Sequence, residues 1–217
     1  MRVLVCGSCR VGKPCRKAAG PGEVVINVAN VLAFSHSAPE ALQQLRMLRG
    51  ELAQPPDALK PYLTAQLPWV ERADTQADAC ILEVCTRKLY VVEGWLIPHR
   101  SLAALTEAGI PFDTHEMTDS EVVESVAEFK GYMAPVPVLL VTHVDAKFPR
   151  VGRLRKRTEL VNLVAGIGGA VLNPSPQVEA WGVDRACTDE SHYSPEFERH
   201  IGRALLDRCK LLGRQPV

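Results

Sequence analysis

The chain has 217 residues, 47% of them hydrophobic, enough to bury a sizeable core as one domain spanning 1–217. Its 25 basic and 25 acidic side chains cancel, which excludes a global field pulling the protein onto nucleic acid or an anionic membrane. No apolar run approaches the roughly 20 residues of a membrane span, no signal-peptide layout opens the chain, and seven cysteines, an odd number, argue against a disulfide framework. A cytoplasmic setting is the expectation.

The first predicted element is a strand over 2–6, RVLVC, running into the small polar turn Gly7-Ser8-Cys9 and a helix that starts near Arg10. Gly7 is read as the residue that permits a sharp turn. A second strand is predicted over 23–28. Ser37-Ala38-Pro39-Glu40 then has capping-box spacing ahead of Leu42, Leu45 and Leu48, which predicts a helix facing the core. Residues 55–78 are broken by Pro55, Pro56 and Pro61, and residues 91–112 carry Trp95, Pro98 and a helix-like stretch over 101–108. Both read as insertion or lid segments.

Between and after them come a strand over 79–84, a capping box at Thr118-Asp119-Ser120-Glu121 opening a helix with Val122, Val126 and Phe129 on one face, and a strand over 136–142. A helix over 153–165 follows the basic run Arg150 to Arg157. That run can bind a phosphate or form a solvated helix face, and the solvated face is the simpler reading. A short strand over 170–173 and a last helix opening at Ser194-Pro195 complete the chain. Apolar strands alternating with helices predict an α/β fold with a mostly parallel sheet.

In such a sheet, ligands gather at the carboxyl ends of the strands. Cys9 lies there, and helix amides at its position are expected to lower its thiol toward the nucleophilic thiolate. Cys6, Cys80 and Cys85 lie in strand text and read as core; Cys15 leans the same way. A thiol nucleophile needs a base. His192 stands in Thr188-Asp189-Glu190-Ser191-His192-Tyr193, three residues after Asp189, so one loop can carry an imidazole and the carboxylate that fixes its tautomer. His143 ends the 136–142 strand and reaches the same rim, as substrate contact or as the base in place of His192. His36, just ahead of a capped helix, is a further candidate for lining the site. His99, His115 and His200 carry no argument beyond their identity.

Gly7-Ser8-Cys9 after strand one and Asp189-x-x-His192 before the last helix together resemble the SGNH/GDSL hydrolase superfamily. Cysteine at the nucleophile position is similar to its GSCFA-domain and capsular polysaccharide-biosynthesis acetyltransferase-like branches. The resemblance implies a three-layer, flavodoxin-like sandwich: a mostly parallel five-stranded sheet with helices on both faces. It implies Cys9 as nucleophile, His192 as base, Asp189 as orienting carboxylate and the Cys9 amide as an oxyanion donor. The superfamily's usual oxyanion motifs after strands two and three are absent; Asn30, Thr86 and Arg87 are the substitutes by position, with Ser8 and Arg10 beside the nucleophile.

The function implied is cysteine-dependent acyl transfer, to water or to an acceptor. No cofactor is required, although coenzyme A or the phosphopantetheine arm of a carrier protein suits a thiol nucleophile as acyl donor. The partners expected are a small acyl substrate and a carrier protein, with no nucleic acid and no membrane. Two alternatives stay open. The degenerate oxyanion motifs fit a ligand-binding domain without catalysis, and Cys6 and Cys9 have the spacing of a redox pair. Cys6, Cys9 and Cys15 lack the second ligand cluster that a tetrahedral metal site needs, so no metal is expected. Gly12-Lys13-Pro14 lacks the glycine spacing and the hydroxyl residue of a phosphate loop.

Overall fold

The computed structural model describes residues 1–64, 67–148, 152 and 154–213. Arg150 and Arg153 of the basic run lie outside them.

In chain order the fold begins with β1 (Arg2–Cys6), α1 (Cys9–Ala18), β2 (Val24–Asn27), a 3-10 turn at Val28–Asn30 (a second one, at His99–Ser101, precedes α4) and α2 (Ala38–Leu48). It continues through α3 (Lys60–Leu63), β3 (Ala79–Val84), β4 (Lys88–Val92), β5 (Trp95–Leu96), α4 (Leu102–Glu107), β6 (Asp113–Glu116) and α5 (Asp119–Met133). The remaining elements are β7 (Val138–Thr142), α6 (Arg155–Gly166), β8 (Val171–Leu172), α7 (Ser175–Trp181), α8 (Val183–Ala186) and α9 (Pro195–Leu212).

The main sheet has five strands in the order β2-β1-β3-β7-β8, every pairing parallel. This is a flavodoxin-like order, with the reversal between β1 and β3. Alternation along the strands divides the core into two faces. Leu4, Cys6, Cys80, Leu82, Val84 and Leu140 pack with Leu45 of α2, Phe129 of α5 and Leu160 of α6. Val3, Val5, Ile81, Leu139 and Val141 pack with Val11 of α1 and Phe197, Ile201 and Leu205 of α9. Helices thus cover both faces, as expected for three layers. The central strand β3 is buried along its whole length, which explains its unbroken apolar text apart from Glu83.

The caps follow the sequence. Ser37 Oγ accepts from the Glu40 amide, the full capping box forms at Thr118 and Glu121, and Ser194 Oγ accepts from the Phe197 amide. Each such cap contributes about 1 kcal/mol. Residues 88–116, which take in the 91–112 segment, form an antiparallel sheet in the order β5-β4-β6, and Leu89, Val92, Ile97 and Leu105 join the α2 side of the core. Strand β6, Asp-Thr-His-Glu, is exposed along its whole length, so no apolar alternation announces it.

Helices α1 and α9 lie against each other where Gly202 meets Pro14: a Cβ built on Gly202 would stand 2.1 Å from the Pro14 carbonyl oxygen. This close packing fixes the start of α1 relative to the segment that precedes α9.

Candidate active site

The loop after β1 carries the nucleophile candidate. Ser8 is the N-cap of α1, its Oγ accepting from the Arg10 amide at 3.1 Å, and Cys9 is the first helical residue. Gly7 owes its place to space and not to unusual backbone freedom. A Cβ there would lie 2.6 Å from Val11 Cγ2 and 2.8 Å from Glu83 Cβ.

The loop before α9 is a tight hairpin closed by an antiparallel bridge between Cys187 and Tyr193. Within it Asp189 Oδ1 accepts from the Ser191 amide at 2.6 Å, a side-chain turn that shapes the loop. The same carboxylate meets His192 Nδ1 at 3.0 and 2.9 Å through its two oxygens. His192 and the Ser191 amide hold the Asp189 carboxyl below the usual carboxylate range, outweighing its slight burial. With Nδ1 facing Asp189, Nε2 is the ring nitrogen left for chemistry.

The two ends of the chain meet here. Cys9 Sγ lies 3.9 Å from the Ser191 carbonyl oxygen, one residue from His192. Its hydrogen bond goes to that carbonyl and not to the imidazole. Arg10, only 2% exposed, crosses the same gap, donating from Nε to the Ser191 carbonyl at 3.0 Å and from Nη2 to the Glu190 carbonyl at 2.6 Å. Its guanidinium stacks on Tyr193, 4.6 Å from the ring centroid. Arg157 Nη1 approaches the Glu190 carbonyl at 3.5 Å. Arg157 is partly buried over Phe148, so it is a site-rim residue and not part of a solvated helix face; burial, then the charge of Arg10, lowers its pKa.

One expectation is reversed. The Cys9 thiol is pushed above its ordinary value, because burial and the negative charge of Glu83 outweigh Lys13, Arg10 and the Cys9 amide itself. Helix amides alone do not lower the thiol here.

Beneath the turn lies a cluster that sequence reasoning missed. Glu83 is 1% exposed, and its Oε2 accepts from both the amide and the hydroxyl of Ser8, at 2.8 and 2.7 Å. Burial opposes its ionisation, but His143 and the two Ser8 donors prevail and hold the carboxyl below the usual range. His143 Nδ1 stands 3.8 Å from Glu83 Oε1. Burial, outweighing the attraction of Glu83, pushes the pKa of His143 down. Cys85 is a partly buried thiol beside Glu83 and Ser8 and not a core residue. The available signal was Glu83 itself, a lone carboxylate inside the apolar strand ACILEV.

The other predicted residues are placed as follows. His36 is largely buried with its pKa lowered by burial, and its carbonyl accepts from the Cys85 amide at 2.7 Å and the Thr86 amide at 3.2 Å. Asn30 Oδ1 accepts from Arg16 at 2.7 Å, towards the other end of α1. Thr86 Oγ1 accepts from the Lys88 amide at 3.1 Å, and Arg87 is ion-paired with Asp119 at the start of α5. None of these contacts involves Cys9. Cys6 is 1% exposed at the end of β1, within the core.

Comparison with known proteins agrees with this architecture. The lipase/acylhydrolase from Enterococcus faecalis superposes with a TM-score of 0.55 at 13% identity, over 100% of this chain and 99% of that one, and shows the same fold. In sequence, the chain is similar to the Vi polysaccharide biosynthesis protein TviD of Salmonella typhi, 23% identical over 92% of this chain. It spans 30% of the length of that relative. The TviD N-terminal domain pattern matches residues 1–110 and 103–208, and the chain belongs to the TviD N-terminal domain family.

Proposed function

We propose that this protein transfers acyl groups through a thioester on Cys9. The observation that carries the reading is the meeting of the first and last loops: Cys9 Sγ 3.9 Å from the Ser191 carbonyl, with the Asp189–His192 pair in the same hairpin. A hydrolase-like fold and a relative in polysaccharide biosynthesis support the same class of chemistry.

Because the surroundings of Cys9 push its thiol up and not toward the thiolate, the reaction needs a base. His192 Nε2 takes the proton as Sγ attacks the acyl carbonyl, and Asp189 stabilises the imidazolium through Nδ1. The tetrahedral oxyanion sits against the Cys9 amide, at the first turn of α1 where amides have no helical acceptor. Collapse breaks the bond to the leaving group, which receives the proton from His192. Water or an acceptor hydroxyl or amine, deprotonated by the same ring, then takes the acyl group and frees the thiol. A thioester donor such as acyl-coenzyme A or an acylated carrier protein suits this site, since thiolate exchanges for thiolate at nearly equal leaving-group strength.

A second reading has its own support. Arg87 is ion-paired with Asp119, and the oxygens of Asn30 and Thr86 accept from Arg16 and Lys88, so among the described residues none of the three is held against the Cys9 amide as a second oxyanion donor. That favours a domain that binds an acyl ligand without turning it over. The redox use of Cys6 and Cys9 is the weakest option, because Cys6 is buried in β1. Release of free coenzyme A from acetyl- and longer acyl-coenzyme A separates the first two readings. Release that disappears in Cys9→Ala supports catalysis; saturable binding with no release from any donor supports the binding domain.

A further inference from the structure

Strands β3 and β7 run parallel with Val84 opposite Thr142, so the next residues in register are Cys85 and His143. Cys85, one residue past the end of β3, is two residues from Glu83, which puts their side chains on one face, and His143, one residue past β7, joins that face from the neighbouring strand. The outcome is a carboxylate oxygen, a thiol sulfur and an imidazole nitrogen all within 4.8 Å of one another.

We propose that Glu83, Cys85 and His143 bind a single zinc-class divalent cation. The donor set suits such an ion: one soft sulfur, one imidazole and one carboxylate, with metal–ligand bonds of about 2.0–2.3 Å. Tetrahedral geometry at those bond lengths asks for donor separations of about 3.5 Å, a contraction of up to about 1.3 Å. Two further observations point to an occupant. His143 Nδ1 is a buried ring nitrogen with no hydrogen bond among the described residues, the Glu83 Oε1 standing 3.8 Å away, too far for one. Glu83 is also oriented from outside the cluster, since both Ser8 donors bind Oε2 and leave Oε1 on the His143 side. Such outer hydrogen bonds fix the direction of a ligating carboxylate.

Binding replaces the Cys85 S–H bond with a sulfur–metal bond and releases one proton to solvent. The thiolate and the carboxylate balance the charge of the ion, so the complex is neutral in its partly buried site. Three protein ligands leave a fourth position for water or a substrate oxygen, and Ser8, next to Cys9, is already bonded to one ligand. The site uses neither Cys9 nor His192, so it stands or falls separately from acyl transfer.

The test is titration of chelator-treated, reduced protein with Co²⁺ as optical probe and with Zn²⁺ in competition. The expected result is one equivalent bound, with four-coordinate visible bands and a thiolate-to-cobalt charge-transfer band. Cys85→Ser should abolish the charge-transfer band, and His143→Asn should weaken binding at least tenfold, both with wild-type circular dichroism. Cys9→Ser should leave spectrum and stoichiometry unchanged. Absence of stoichiometric binding in the wild type, or a charge-transfer band that survives Cys85→Ser, would overturn the site. Should Cys85→Ser misfold, His143→Asn decides alone: unchanged affinity contradicts the proposal.

Discussion

Arg10 Nε donates to the carbonyl of Ser191 at 3.0 Å, so the second residue of the first helix holds the residue that precedes His192. With Nη2 on the Glu190 carbonyl and the guanidinium over Tyr193, this one side chain ties together loops separated by most of the chain. Arg10 therefore acts as a positioning residue: it sets where the imidazole stands relative to the thiol.

Replacing it tests that role. Arg10→Met leaves two carbonyls short of donors, at a cost of about 1–3 kcal/mol in stability. We expect acyl transfer to drop roughly 10- to 100-fold in kcat with KM nearly unchanged, the range of a misplaced general base. Arg10→Lys should recover stability before it recovers rate, since a lysine cannot reproduce the two-pronged geometry. Steady-state kinetics beside thermal melts checks this; an unchanged kcat in folded Arg10→Met contradicts the role.

The Cys9 thiol should titrate above an ordinary cysteine, and Glu83 supplies part of the reason. Glu83→Gln removes a negative charge facing the thiol, so its pKa should fall while the amide oxygen can still accept from Ser8. Iodoacetamide alkylation of Cys9 against pH, in the presence of a chelator and followed by peptide mass, gives both values. A midpoint that rises or stays fixed in Glu83→Gln is the contrary result.

Glu40 gives a pH signature remote from the thiol. Burial pushes its carboxyl up to about 8, while its Oε2 accepts from the His36 amide at 2.6 Å. The folded state keeps the proton that the unfolded chain loses above about pH 4.3, so this group costs stability as pH rises, until about pH 8. His36 and His143 have lowered values and act in the opposite direction, but only below about pH 6.5. Between pH 6.5 and 8 the wild-type melting temperature should therefore fall. Glu40→Gln should flatten that slope, and a slope equal to wild type is the outcome against it.

Gly202 tests the packing that positions α1. Its Cβ would meet the Pro14 carbonyl carbon at 2.5 Å and Ala18 Cβ at 2.9 Å, so Gly202→Ala must separate α1 from α9. We expect a loss of about 1–3 kcal/mol by urea denaturation, the usual range for overpacking. A variant as stable as wild type would show that these helices lie farther apart.

Much of this was legible in the sequence, for identifiable reasons. The apolar runs of β1, β3 and β7 and the caps at Ser37, Thr118 and Ser194 act locally, so pattern alone marks them. The pairing of Asp189 with His192 is equally local. The thiol's electrostatics were not legible, since the charge that opposes ionisation comes from Glu83, which only the β1–β3 pairing brings under Ser8. The bridging contacts of Arg10 and Arg157, residues the sequence does single out, were not legible for the same reason: their partners, the carbonyls of Glu190 and Ser191, are backbone groups that carry no sequence signal. The Glu83–Cys85–His143 cluster needs strand register, which the text of two separate apolar runs does not contain.

The central claim is that Cys9 becomes acylated, and intact-mass spectrometry of reduced protein mixed with acyl-coenzyme A donors and activated esters tests it most directly. A single acyl increment is expected on the wild type that maps to the peptide containing Cys9, is released by hydroxylamine, and is absent from Cys9→Ala. An adduct of the same mass that persists in Cys9→Ala would contradict it.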